Sequence, residues 1–131
     1  MRTWLRETIL PLMPEEVRDN IREVTKYSYS HEEQKGVASK DTIWIPSVRE
    51  VFLADNDWVK NYDQEGVSYT SVFTDNKSRE RSRDGESGAT WWWLRSASRN
   101  ISYYFISVTS IGASDSSDAI SEGGVVVGFC F

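Results

Sequence analysis

The 131-residue chain carries 15 Lys and Arg against 20 Asp and Glu, a formal net charge of −5, with 39% hydrophobic and 13% aromatic residues. This is a globular composition, so wholesale disorder is excluded, and the length suits one domain. The acidic balance argues against a phosphate-backbone binder, and no nucleic-acid partner is expected. One cysteine, Cys130, excludes an internal disulfide and a multi-cysteine zinc site. Its apolar setting, GGVVVGFCF, predicts a buried, inert thiol. The only histidine, His31, lies in SHEEQKG with no nucleophile or metal cluster beside it. No apolar run reaches transmembrane length and no signal-peptide core follows Met1. The chain therefore reads as cytosolic when made or as a piece of something larger, without membrane insertion.

In chain order, residues 2–10 (RTWLRETIL) predict a short helix with Trp4, Leu5, Ile9 and Leu12 on one side, broken by Pro11 and Pro14. Residues 14–24 (PEEVRDNIREV) predict a second helix. Pro14 suits its first position, Glu15 and Glu16 suit the positive end of the dipole, and Val17, Ile21 and Val24 form an apolar stripe. Residues 27–41 read as a polar loop or a poor hairpin, and TIWI (42–45) as a short strand ended by Pro46. Ser47 and Glu50 have capping-box spacing and open a short third helix before Val51 and Phe52. Residues 54–86 are loop-rich, with VSYTSVF (67–73) their only strand signal and a dense charge run over 75–88 that reads as a solvated excursion. Strands follow at 91–94, 103–109 and 125–131, the last holding the terminus in place. Helices first and strands afterwards predict a single α+β domain, 1–131, with a mostly antiparallel twisted sheet.

Three segments carry a resemblance. WIPSVREVF (44–52), WWLRSAS (92–98) and GGVVVGFCF (123–131) resemble an uncharacterised bacterial and phage domain family. Its hallmark is a Trp-Leu-Arg-Ser motif, then an Asn- and Ser-rich stretch, then a terminal Gly-Phe-Cys. RTWLRETILPLMPEEVRDNI looks like that family's N-terminal part, so the resemblance covers nearly the whole chain, with the family's own start falling before Arg2. More distantly, the layout is similar to the C-type lectin fold of formylglycine-generating-enzyme relatives. Ile45-Pro46-Ser47 with Glu50, and Gly128-Phe129-Cys130, stand where that group has its helix start and terminal strand.

That lectin-fold group includes the variable proteins of diversity-generating retroelements, in which adenines of a template are randomised as it is copied into the gene. Asn codons then yield Ile, Ser, Tyr, Asp, Thr and others, but never Met, Gln, Lys, Glu or Trp. Residues 97–121 contain none of those five types, whereas residues 1–96 contain 25. Relatives commonly read Val-Asn-Ser-Asn-Gly at VTSIG (108–112) and an Asn run at DSSDAIS (115–121). The resemblance thus implies a variable ligand-binding region at 101–121. Thr109, Ile111, Asp115, Ser116, Ser117, Asp118, Ile120 and Ser121 occupy Asn positions, joined by Ile101, Tyr103 and Ile106. Phe105, Val108, Ser110, Gly112 and Ala119 keep the frame. The expected geometry is one contiguous exposed face, with Phe105, Val108 and Ala119 pointing inward.

Trp91, Trp92 and Trp93 suggest a sugar-stacking platform, but strand alternation sends part of that run into the core. Arg95 is expected to satisfy backbone carbonyls or a structural acid rather than a ligand. Asp55, Asp57, Asp75, Asp115 and Asp118 do not assemble the roughly six to eight oxygens that calcium needs, so no metal is expected. No acid pair is selected across a pocket and no active cysteines are present, so neither an enzyme nor a cofactor is expected. Two functions remain. One is a ligand-binding adhesion module of a phage virion or bacterial cell surface, recognising a protein or glycan partner. The other is a structural or assembly domain of such a particle or surface protein.

Overall fold

The computed structural model describes residues 1–131. Its centre is a four-stranded sheet ordered β8-β7-β6-β9, formed by β6 (Trp92–Ala97), β7 (Tyr104–Val108), β8 (Ser114–Asp118) and β9 (Gly124–Val125). β6 and β7 run antiparallel, as do β7 and β8, while the short β9 lies parallel to β6. Three two-stranded ladders complete the architecture: β1 (Val24–Ser30) with β2 (Lys35–Asp41), β3 (Ile43–Trp44) with β10 (Gly128–Phe129), and β4 (Arg81–Ser82) with β5 (Ala89–Thr90). All three are antiparallel. The domain is α+β with few helices and mostly antiparallel sheets, as its element order predicts.

The N-terminal helix α1 covers residues 2–12 and runs from α-helical (Arg2–Trp4) through π-helical (Leu5–Ile9) to 3-10 geometry (Leu10–Leu12). Pro11 does not break it but sits in the 3-10 turn that ends it. Leu5 is buried and Ile9 packs beside it, whereas Trp4 and Leu12, expected on the same face, are exposed. The predicted second helix shrinks to one turn, α2 (Glu15–Arg18), with Pro14 as its N-cap. The Asn20 side chain donates to Glu16 O at 2.8 Å and closes that turn, and Val24 is drawn into β1 instead.

The segment read as a polar loop or a poor hairpin is a long regular hairpin, paired from Val24↔Asp41 to Ser30↔Lys35. Its half-buried face carries Lys26, Ser28, Ser39 and Asp41, so hydrophobic alternation gave no signal of it. Ser47 caps α3 (Val48–Val51) with both bonds of the capping box in place, as its spacing predicts. A 3-10 segment (Asp57–Glu65) follows. Residues 67–73 form no strand. Phe73 N donates to Tyr69 O (2.9 Å), a turn that brings two aromatics four residues apart inward together. Nor is 75–88 merely a solvated excursion, because Asp75 caps α4 (Asn76–Arg79) and Arg79 is buried.

The main core lies on one side of the central sheet. Trp92, Leu94 and Val108 meet Val48, Val51, Phe52, Val59, Tyr62 and Phe73 there. A second cluster joins Leu5 to Ile43 and Ile45, with Val125 and Val127 against it. Both Trp92 and Trp93 are buried, and Trp92 Nε1 donates to Arg79 O at 3.0 Å. The expected terminal strand 125–131 is two separate pairs of residues, β9 and β10, that serve different sheets. Cys130 is exposed, contrary to its apolar context, although its carbonyl accepts from Arg22 N (2.7 Å). No helix is long and apolar enough to cross a membrane.

Candidate functional site

The Trp-Leu-Arg-Ser run of β6 organises a buried polar network. Arg95 donates to Ile45 O (2.9 Å), Tyr27 O (3.3 Å), Glu65 O and Glu50 Oε2, so its planar fork joins the hairpin, the residue after β3, the 3-10 segment and α3. Lys26 Nζ donates to Glu50 Oε1 (2.7 Å), and Tyr69 OH donates to the same oxygen (2.9 Å). Burial alone would raise the Glu50 carboxyl, but Arg95, then Lys26 and the Ser47 N–H, outweigh it and hold Glu50 below the usual carboxylate range. Glu65 is also buried. It accepts from Tyr29 N (3.1 Å) and the Ser96 hydroxyl, with Arg99 Nη2 3.7 Å away. Here burial wins, and Glu65 sits above the usual range. Capping-box spacing makes Glu50 legible in the sequence, but nothing local identifies Glu65, Lys26 or Arg99 as its companions.

Ten of the eleven residues implied as variable fall into three groups. At the base of the β7–β8 hairpin, Tyr104 N donates to Ile101 O (3.1 Å), Ala119 N to Tyr103 O (3.0 Å) and Ser121 N to Asp118 O (2.9 Å). Ile101, Tyr103, Ile120 and Ser121 are therefore brought together on two adjoining turns. Tyr103 and Ile120 stand 59% and 90% exposed, a large solvent contact for apolar side chains. The hairpin tip holds Thr109 and Ile111, the latter 67% exposed and five strand residues away, about 15 Å. Between them lies β8, an edge strand on which Asp115 and Ser117 share one face and Ser116 and Asp118 the other.

The expected single contiguous face is thus not what forms, because the pleat divides Asp115–Asp118 and the hairpin length separates tip from base. Ile106 belongs to neither surface, being half-buried against the main core. Of the frame residues, Val108 and Gly112 are buried and Phe105 is half-buried, but Ala119 is exposed rather than inward. Gly112 is required at the tip. Its φ is +74°, a Cβ there would strike the Asn76 carbonyl, and Arg79 Nε donates to Gly112 O at 2.9 Å.

Part of the edge strand's outward backbone is taken up locally. Thr109 N donates to Ala113 O and Ala119 N to Tyr103 O, so by antiparallel alternation Asp115 and Ser117 bond inward to β7. Ser114, Ser116 and Asp118 then face outward. The Ser116 N–H is taken by Asp115 Oδ1 (2.7 Å), and Asp118 receives Ile120 N on its carboxylate (3.1 Å) and Ser121 N on its carbonyl.

A small α+β domain with a side-chain-lined edge hairpin is the class that fold and site define. Within it, the chain belongs to the family described as a domain of unknown function (DUF6273), matched over residues 1–131. No curated protein and no solved structure matches the chain.

Proposed function

We propose that this domain is a ligand-recognition module, a retroelement-diversified variable protein with a C-type lectin-like layout. Its binding surface is the edge strand β8 with the turns at the base of the hairpin. The observation that carries this reading is that none of residues 114–121 belongs to either apolar core, while Trp92, Leu94 and Val108 of the same sheet do. Sequence there can change without touching what holds the fold. Tyr103, Ile101 and Ile120 supply apolar contact area at one end, and the Ser and Asp side chains of β8 supply hydrogen bonds beside it. The lectin-like layout is supported by element order: a capped helix at Ser47, the Arg95 strand, then β10 returning to pair with β3 ahead of that helix. The expected partner is a protein or glycan on a target cell or phage host, reached from a virion or bacterial surface, without catalysis or cofactor.

The test is a displayed library randomised at Ile101, Tyr103, Thr109, Ile111, Asp115–Asp118, Ile120 and Ser121. Binders to unrelated proteins or glycans should emerge from folded variants, and a library that mostly unfolds would overturn the reading. A second reading, an assembly domain of a phage particle or surface protein, is favoured by one observation. Phe129 and Phe131 stack edge to face at 5.5 Å, both exposed and outside the hairpin.

A further inference from the structure

A cleft of about 430 Å³ lies between α1, the β1–β2 hairpin, β3 and β6, within the size range of small-molecule sites. Its walls are mainly aromatic and aliphatic: Tyr29, Trp44, Ile45, Trp93 and Phe105, with Leu5 from α1. Trp44 and Trp93 are buried residues, so this is a built concavity and not a surface dimple. We propose that the cleft binds a small amphiphilic cation, an aromatic or aliphatic body ending in a protonated amine.

The polar groups decide the sign of the ligand. Arg95 lines the cleft, but its donors are already committed to three backbone carbonyls and Glu50, leaving little to grip a carboxylate. Asp41 is the opposite case. Its side chain is only 12% exposed, Oδ2 accepts from Ser39 Oγ (2.6 Å) and Oδ1 from Arg2 Nε (2.9 Å). A carboxylate offers about four acceptor positions, so two remain. Its one cationic partner, Arg2, has a side chain 61% exposed, an exposed ion pair of the kind held weakly. An amine whose apolar body lies against the cleft wall can take those acceptor positions or displace Arg2.

Phenethylamine and 3-phenylpropanoate present the same ring on opposite charges and separate the alternatives. Titrated into the full chain and followed by the Trp44 and Trp93 indole N–H signals in NMR, the amine should shift both saturably. Its affinity should be at least about tenfold tighter than that of the acid. Asp41→Asn should weaken amine binding about tenfold, and Arg2→Ala should leave it equal or tighter. Absence of a saturable shift up to about 10 mM amine, weak even for so small a ligand, would overturn the proposal. So would equal binding of the acid, or a folded Asp41→Asn chain with unchanged affinity. Should that variant fail to fold, the amine-against-acid comparison on the unaltered chain still decides. The outcome is independent of the display library, because none of the randomised positions lines the cleft.

Discussion

Glu50 and Glu65 are each about 1% exposed and bridged by the same arginine, yet their carboxyls move in opposite directions. Glu50 is lowered, so its contribution to stability is present above the unfolded carboxylate value, about 4.3, and is lost as pH falls through the folded value. Glu50→Gln strips Lys26 and Arg95 of their counter-charge and should cost about 3–5 kcal/mol at neutral pH. The gap from the native chain should narrow at acid pH as the native Glu50 protonates. Glu65 is raised, so its favourable contribution belongs to the protonated form and fades as pH rises through the folded value. Glu65→Gln keeps an acceptor for the Tyr29 N–H and removes that loss. Its stability relative to the native chain should therefore improve as pH rises from about 4 to about 7. Urea melts of both variants across that range check the two signs.

The β7–β8 hairpin is rigid at its tip and free along its edge. Gly112→Ala forces a side chain into a left-handed conformation and against the Asn76 carbonyl, and should cost roughly 2–4 kcal/mol. Ile106→Asn places an amide against the main core and should cost about 1–3 kcal/mol, although the resemblance implies Ile106 as a variable position. Tyr103→Ser and Ile120→Ser, at exposed positions of the base, should stay within about 0.5 kcal/mol. Melting midpoints of the four variants should separate into these two groups. A large loss at Tyr103 or Ile120 would mean that the base turns are structural.

Across the whole domain, stability rests on the junction of β6 with α3, the 3-10 segment and the hairpin. Trp92 is 1% exposed, packs on Phe73 at 6.2 Å between ring centroids and donates to Arg79 O, so one ring ties the sheet to α4. Trp92→Ala should cost roughly 3–5 kcal/mol, a large share of the about 5–15 kcal/mol available to such a domain, and loss of soluble expression is the expected readout. The buried ion network adds specificity of arrangement. Arg95 reaches four separate segments, none adjacent to it in sequence, so a chain that pairs them wrongly leaves charge buried and uncompensated.

What the sequence determined by itself is what short-range chemistry decides. The Ser47–Glu50 capping box, the β6 and β7 strands and the α+β order were all legible, because each rests on neighbours within a few residues. Arg95 was legible as a structural charge, because a guanidinium beside a buried strand has to be satisfied. Tertiary structure alone decided the rest. The β1–β2 hairpin carries polar residues inward because Glu50 and the cleft wait for them, so its hydrophobic pattern ran against its burial. The helix expected over 14–24 ends after one turn, and Val24 pairs with Asp41 in the hairpin instead. Cys130 lies in an apolar run yet is exposed, since β10 offers a partner to β3 at Gly128 and Phe129 only. The residues expected to form one variable face were divided by pleat and hairpin length. Those two properties belong to paired strands and have no counterpart in residue order.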